Sequence, residues 1–307
     1  MDNLVHKAIR KTHEHAQELR HSLAAAGALP STNDFRRLVL LSTIRTGSTM
    51  LGFRLAAHPA VSMFQEVFHV HRNSVSFQKV GFQRKSTTPK ILRLRENEPS
   101  RFLEEIIFAR KPRGIKWVGF RLMYNQARVD NPFWTGPEFD HWYANGKRPP
   151  QYGNKHDNVR NWLEKNAEKI DVIHLIRENL FDQYLSGEVA KKTGAWGEGA
   201  TGGWRGDDGV SIELNPDHTV QHIQTTQKMI DEGRDWCRQF RTLEITYDEL
   251  VKNDGMKRVF EFLGLDVLDA GETRSRKQGK TDWTEKVSNS DEIREALSRS
   301  GYGHFVG

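Results

Sequence analysis

The chain has 307 residues, of which 36% are hydrophobic, enough for one large domain or two small ones with a sizeable core. Lys and Arg number 46 and Asp and Glu number 40, so the formal net charge is +6 and the sequence pI is about 9.3. This modest excess excludes neither an enzyme nor a DNA-binding protein. It slightly favours an anionic partner wherever the cations converge.

The single cysteine, Cys237, excludes an internal disulfide and a thiolate metal cluster, and therefore a disulfide scaffold and a zinc finger. The strongly apolar runs are short, as in 38–41, whereas a bilayer span needs about 20 such residues. The N-terminus carries acids and histidines and lacks the apolar stretch of a signal peptide. We therefore expect a cytoplasmic protein with no membrane partner.

Residues 4–26 are predicted to form a helix with a thin apolar stripe, which Gly27 and Pro30 close. One interpretation is a surface helix outside the main core. The alternative is a docking element or a homodimer contact.

A strand, a polar loop and a helix are predicted in RRLVLLSTIRTGSTMLGFRLAAHP, residues 36–59. A second unit of this kind is KIDVIHLIRENLFDQYLSGEVAKKTG, residues 169–194. In the second unit the strand 172–176 runs into Arg177 and then into a helix.

Another strand is predicted in 114–126, and a strand followed by a helix in 240–265. Because strands that alternate with helices form parallel sheets covered on both faces, we predict an α/β fold with a central parallel sheet. The predicted organisation is an N-terminal helical extension over 1–35 and a single domain over 36–307.

The loop after the first predicted strand has the residues of an anion site. Free backbone N–H groups and the positive end of the helix dipole meet where this loop enters its helix, which suits a phosphate or a sulfate. Gly47 allows close approach of the backbone, and Arg45 adds a planar cationic fork. Hydroxyl groups are supplied by Thr46, Ser48 and Thr49.

The loop differs from a Walker P-loop, because Gly47 stands where a Lys would precede Ser48. An ATPase or GTPase needs that Lys and a Mg²⁺-binding acid, so we expect phosphate binding without NTPase chemistry. The structural alternative is a plain strand-to-helix turn capped by Ser48.

Arg177 follows a second parallel strand and is therefore expected at the same sheet edge as the Arg45 loop. Two anion sites at one edge fit a ligand with two separated phosphates. The alternative for Arg177 is a surface salt bridge with Glu178 or Asp182.

These segments resemble the P-loop sulfotransferases that use 3′-phosphoadenosine 5′-phosphosulfate (PAPS), particularly the bacterial trehalose sulfotransferase-like branch. The motif [ST]-x-x-R-[ST]-G-S-T, here residues 42–49, implies binding of the 5′-phosphosulfate. A strand ending in Arg and a following helix with a Ser imply that Arg177 and Ser186 bind the 3′-phosphate. The resemblance implies PAPS as co-substrate and no metal.

The segment HPAVSMFQEVFH resembles the P-x-E-x-F region of bacterial sulfotransferases, which implies that Glu66 is the catalytic base. Arg45 would neutralise charge that grows on the 5′-phosphate. His69 is the alternative base, since an imidazole titrates near neutral pH, and a structural ion pair is the alternative role for Glu66.

Two further segments resemble parts of the nucleotide site. TYDEL, which contains Tyr247, resembles the stretch near the adenine. Arg276 and Lys277 resemble the start of the segment that closes over the 3′-phosphate, although Gln278 replaces its glycine. A solvated basic patch is the alternative.

The implied function is transfer of a sulfuryl group to a hydroxyl or amine of a small molecule, natural product or carbohydrate. Candidate acceptor contacts are Phe68 and two tryptophans of the glycine-rich loop 194–209, Trp196 and Trp204. We expect no nucleic-acid partner. The alternatives are a P-loop nucleotide kinase and a nonenzymatic binder of nucleotides or nucleic acid, which the basic pI suggests.

Overall fold

The computed structural model describes residues 19–68, 88–124, 126, 158–194, 209–252, 254–267 and 282–307. The strands in this part of the chain are β1 (Ser31–Thr32), β2 (Arg36–Ser42), β3 (Val61–Glu66), β4 (Lys111–Pro112), β5 (Trp117–Met123), β6 (Ile170–Ile176) and β7 (Arg241–Thr246). Five of them form one sheet in the order β3–β5–β2–β6–β7, and every pairing in it is parallel. This arrangement confirms the predicted α/β fold.

Helices cover both faces of this sheet. They are α1 (residues 19–25), α2 (Ser48–Ala57), α3 (Thr88–Asn97), α4 (Pro99–Phe102), α5 (Val159–Lys165), α6 (Leu180–Thr193), α7 (Pro216–Cys237), α8 (Tyr247–Val251), α9 (Asp254–Leu263), α10 (Trp283–Lys286) and α11 (Ser290–Arg299). A π-helical turn, Leu103–Ile107, follows α4, and short 3-10 turns occupy Ala167–Lys169 and Gly303–Phe305.

The central strand β2 shows why the sheet is buried on both faces. Successive side chains of a strand point to opposite faces, so the run 38–41 contributes to two hydrophobic clusters. Leu38 and Leu40 pack in the cluster that contains α2 and α9, while Val39 and Leu41 pack in the cluster that contains α6 and α7. All four side chains are buried.

The strand order creates a crevice between the carboxyl ends of β2 and β6. The chain leaves β2 through α2 toward β3 at one edge of the sheet, and it leaves β6 through α6 and α7 toward β7 at the other edge. Neighbouring strands whose connections diverge in this way leave a ligand-binding cleft between them. The loop 43–47 and Arg177 therefore lie side by side at the carboxyl ends of the strands, as predicted.

Several predicted elements differ from the structure in extent. The strand predicted over 172–176 begins at Ile170, and the described part of the predicted N-terminal helix is 19–25. The 22-residue helix α7 was not predicted from the sequence. Strand β1 lies within the predicted extension but pairs with β4. The division into an extension and a single domain stays a prediction.

The described part of the chain contains no helix with the length and apolar character of a membrane span. Cys237 is buried at the end of α7, and burial raises the pKa of its thiol to about 12. A thiol that stays protonated in this way is a poor nucleophile, so the single cysteine is a packing residue.

Lys111 is a buried cation on β4. Its Nζ donates a hydrogen bond to the carbonyl oxygen of Ala109 at 2.9 Å and lies 5.4 Å from the centre of the Phe64 ring. Burial lowers the pKa of Lys111 from its ordinary value of 10.5 to about 7. Because the folded state then binds fewer protons than the unfolded state between pH 7 and pH 10.5, this group makes stability rise with pH across that window.

We predict that Lys111→Met raises the free energy of unfolding at pH 7 by roughly 1–3 kcal/mol, since a methionine carries no charge to desolvate. Urea denaturation at pH 7 and pH 9.5 measures this, and the gain should shrink at the higher pH. Lys116→Met, which changes an exposed lysine nearby, is the control and should leave the pH dependence unchanged. A gain in Lys111→Met that is equal at both pH values would contradict the low pKa.

Candidate functional site

The loop between β2 and α2 has an unusual backbone. Gly47 is the N-cap of α2, in the left-handed region with φ 84° and ψ 8°. Arg45 has φ 61°, and it is the one non-glycine residue with positive φ in the described part of the chain. Residues other than glycine adopt this conformation rarely, and backbone strain of this kind clusters at active sites and ligand-binding loops.

The start of α2 is open to an anion. Among the described residues no side chain caps the helix, and its first turn contains no acidic residue. Ser48 is the first helical residue, so the alternative in which Ser48 caps the helix is wrong. The first backbone N–H groups of a helix have no partner within the helix, and the helix dipole at this end favours a negative charge.

Helix α6 holds the loop in place from the neighbouring strand. The Nε and Nη2 atoms of Arg45 both donate to the Ser186 hydroxyl, at 3.0 and 2.9 Å. Gln183, which is buried, donates from Nε2 to the Thr43 hydroxyl at 2.6 Å and to the carbonyl oxygen of Ile44 at 2.8 Å. The loop conformation is therefore fixed by side chains of the β6–α6 unit.

Arg177 lies beside Arg45, as predicted, and it also forms the predicted alternative ion pair. Its Nη1 is 3.4 Å from the Arg45 carbonyl oxygen, and its Nη2 donates to Asp182 at 3.1 Å. Burial, and next the charge of Arg177, lower the pKa of the Arg45 guanidinium. Two cations that repel each other at one edge of the sheet favour binding of an anion between them.

Tyr247 packs against both Arg177 and Gly47. It opens α8 behind a capping box in which Thr246 and Glu249 bond each other's backbone N–H groups. The Arg177 guanidinium carbon lies 4.9 Å from the centre of the Tyr247 ring. A Cβ atom on Gly47 would lie only 2.8 Å from Cδ2 of the same ring. The glycine therefore permits both the loop conformation and the contact with Tyr247.

The remaining hydroxyls predicted for this site have different surroundings. Ser186 bonds Arg45, whereas the resemblance implies that it acts with Arg177. The Thr46 hydroxyl is buried and donates to the carbonyl oxygen of Thr43 at 3.0 Å, so it stabilises the loop itself. Ser48 is buried, whereas Thr49 is exposed.

Glu66 ends the edge strand β3, just after an irregularity in its pairing with β5, and stands opposite Arg121. Its Oε1 accepts a hydrogen bond from Nη2 of Arg121, and its Oε2 accepts one from Nε2 of Gln126 at 3.0 Å. The Arg121 side chain is 3% exposed and that of Glu66 is 12% exposed. The ion pair considered as an alternative for Glu66 is therefore present, at the same sheet edge as the Arg45 loop.

Three residues of this site were not predicted: Arg121, Gln126 and Gln183. A signal for Arg121 was available, because it is a lone charge within the otherwise apolar strand WVGFRLM, and buried charges are rare unless they are paired. The two glutamines follow no pattern in the sequence that distinguishes them from solvated residues.

Phe68, a candidate acceptor contact, is fully buried in the core. Its ring centre lies 5.6 Å from that of Phe102 and 5.9 Å from that of Phe120. The other predicted site residues lie outside the described part of the chain: His69, Trp196, Trp204, Arg276 and Lys277.

The described residues contain no group of three or more side chains that could hold a metal ion.

The sequence model of the Stf0 sulphotransferase family matches residues 37–290, which is most of the chain. The chain belongs to the Stf0 sulphotransferase family. The resemblance seen in the sequence is thereby confirmed at the level of family and fold.

Two solved structures of sulfotransferases are similar to this chain. Mouse sulfotransferase SULT7A1 in complex with PAP is 12% identical with a TM-score of 0.36, over 95% of this chain and 94% of that one. The sulfotransferase domain from the curacin biosynthetic pathway is 12% identical with a TM-score of 0.40, over 89% of this chain and 98% of that one. No curated protein sequence matches significantly.

We predict that Gly47→Ala destabilises this sulfotransferase more than Gly301→Ala does. Both glycines have φ near 80°, but a Cβ on Gly301 meets nothing within 4 Å. Gly301→Ala should cost about 1 kcal/mol for the left-handed backbone alone. Gly47→Ala should cost at least about 1 kcal/mol more, because the Tyr247 ring must move. Urea denaturation of the two variants measures the difference, and equal losses would refute the close packing of Gly47 against Tyr247.

Proposed function

We propose that this sulfotransferase takes its sulfuryl group from PAPS and transfers it to a hydroxyl or amine of a small molecule, natural product or carbohydrate. The observation that carries the proposal is the convergence of three positive features at one crevice. These are the uncapped N-terminus of α2, Arg45 and Arg177. An anion with two separated phosphate groups complements such a crevice better than a single phosphate does.

The described residues supply candidate contacts for the two ends of PAPS. The backbone of 45–49 and the Arg45 guanidinium would bind the 5′-phosphosulfate, and Arg177 would bind the 3′-phosphate. Ser186 would hold Arg45 in its bound orientation through the two hydrogen bonds that it accepts. Tyr247 would support the nucleotide from the side of Gly47. The proposal also includes Arg276 and Lys277 as contacts to the 3′-phosphate.

PAPS would supply an activated sulfuryl group whose leaving group is a stable bisphosphate. The acceptor oxygen or nitrogen forms a bond to sulfur while the bond between sulfur and the bridging phosphate oxygen breaks. Glu66 would take the acceptor proton, and its orientation is set by Arg121 and Gln126. Arg45 would stabilise the negative charge that develops on the departing phosphate. His69 is the alternative base.

We predict that the protein binds 3′-phosphoadenosine 5′-phosphate, the bisphosphate product, and that Arg177→Met lowers the affinity about tenfold or more. The reason is the loss of charge-assisted hydrogen bonds to one phosphate. Isothermal titration calorimetry measures this. The control is Arg238→Met, which removes an arginine that is 81% exposed and should leave the affinity unchanged. Absence of bisphosphate binding by the unaltered protein, especially with tight salt-sensitive binding to DNA instead, would overturn the proposal.

We predict that Glu66→Gln lowers turnover by about 100-fold or more while the protein still binds the bisphosphate, because the acceptor proton then has no carboxylate to go to. The assay follows bisphosphate release from PAPS with a panel of hydroxyl and amine acceptors. Unchanged turnover would remove Glu66 from the role of base and leave His69 as the candidate.

A swapped variant, Glu66→Gln with Gln126→Glu, separates the chemistry from the fold. Gln126 accepts a hydrogen bond from the Met123 N–H at 3.2 Å and donates one to Glu66. In the swapped variant the new glutamate can still accept from Met123, and the new glutamine can still accept from Arg121. The two exchanged side chains can also still form a hydrogen bond with each other. We expect stability near that of the unaltered protein together with the low turnover of Glu66→Gln. Recovery of turnover in the swap would show that the carboxylate is not required at position 66.

A further inference from the structure

We propose that Arg121 is a positioning residue that ties the candidate base Glu66 to the first turn of α2. The inference rests on the proposed function, because it concerns how the base and the phosphosulfate site are kept in register. It is carried by a single guanidinium group that contacts both sides of the site.

The contacts of Arg121 divide between two elements. Its Nη1 donates to the Thr49 hydroxyl at 2.7 Å and to Oε1 of Gln65 at 3.0 Å, while its Nη2 donates to Glu66. Thr49 is the second residue of α2, the helix whose N-terminus forms the anion site. A planar guanidinium with its donors in a fixed fork sets the separation of its partners, which a flexible ammonium group does not.

The energetics of burial argue against a purely structural role for this ion pair. Arg121 lies within the otherwise apolar, fully buried strand β5, and its side chain is 3% exposed. Desolvation of a buried ion pair costs about as much as its attraction returns, and apolar replacements are often neutral or stabilising. A buried cation at the carboxyl edge of the sheet, in contact with the candidate base, is therefore better explained by the alignment of that base.

Glu66 needs such alignment because of where it stands. It ends an edge strand that pairs on one side with β5, and the pairing is irregular just before it. Arg121 and Gln126 hold its two carboxylate oxygens, and Arg95 of α3 holds the following backbone by donating from Nη1 to the carbonyl oxygen of Val67 at 3.1 Å. In enzymes generally, a 1 Å misplacement of the reacting groups can cost about 100-fold in rate.

The first experiment compares Arg121→Gln and Arg121→Lys with the unaltered protein by calorimetry and turnover. For Arg121→Gln we expect a bisphosphate affinity within about threefold of the unaltered protein and turnover lower by about 100-fold. Arg121→Lys retains the charge without the fork and should lose about tenfold in turnover. If Arg121→Gln does not fold, Arg121→Lys carries the test. Turnover within twofold of the unaltered protein in the variant that folds overturns the proposal.

The second measurement needs no acceptor. A ¹³C NMR titration of the Glu66 carboxyl group, assigned by the signal lost in Glu66→Gln, reports its protonation directly. Arg121 supplies a charged donor to this carboxylate and Gln126 supplies a neutral one, so Arg121→Gln should move the titration midpoint upward by about one pH unit or more. An unchanged midpoint would show that Arg121 does not act on Glu66.

The link to α2 is tested by a double-mutant cycle of Thr49→Val and Arg121→Gln. If Arg121 acts through Thr49, the loss of turnover caused by Thr49→Val should be at least about threefold smaller when Arg121 is already absent. Additive losses would contradict the link. Any effect of Thr49 on nucleotide binding alone appears equally in both backgrounds and cancels.

Arg241→Gln is the matched control, because it removes an ion pair at the opposite edge of the same sheet. Arg241 donates to Asp171 at 2.7 Å. We expect this variant to lose stability but to keep turnover and the Glu66 titration midpoint. The failure modes are distinct: absence of bisphosphate binding by the unaltered protein defeats the proposed function, whereas normal binding with an unaffected Arg121→Gln variant defeats only the present inference.

Discussion

The parallel pairing of β2 with β6 is the constraint on which the candidate site depends. Because the two strands are neighbours and run in the same direction, their carboxyl ends bring the Arg45 loop and Arg177 to one edge of the sheet. Helix α6 then fixes the loop through Gln183 and Ser186. Without this pairing, no side chain of α6 would reach the loop to stabilise the left-handed conformation of Arg45.

The sheet carries buried charged groups at both the amino and the carboxyl ends of its strands, and the two groups differ in their exposure to solvent. At the amino edge, the fully buried carboxylate of Asp171 binds Arg36 and Arg241, whose side chains are about half exposed, and so joins β2, β6 and β7. Solvent screens the charges of those arginines, and the cluster serves to link the three strands. At the carboxyl edge the Arg121–Glu66 pair is enclosed, and its hydrogen bonds lead to α2. Burial there keeps a carboxylate oriented where chemistry is proposed.

Much of the fold and part of the site followed from local patterns. The apolar runs predicted the strands, and the turn around Gly47 predicted the start of α2, because backbone N–H groups, a glycine and a cation at a strand-to-helix junction are read within a few residues. The resemblance placed Ser186 with Arg177, whereas in the structure its hydroxyl bonds Arg45. Arg45 lies 141 positions away, and that contact depends on how α6 crosses the loop.

The sequence by itself determined the α/β class, the family and the position of the strand-to-helix loop around Gly47, since each rests on residues close together in the chain. Only the tertiary structure decided that Arg121, Gln126 and Glu66 form one hydrogen-bonded group that reaches Thr49. These residues come from α2, β3, β5 and the chain just after β5, and they meet because β5 lies between β3 and β2. Strand order is a property of packing between distant segments, and no local periodicity encodes it.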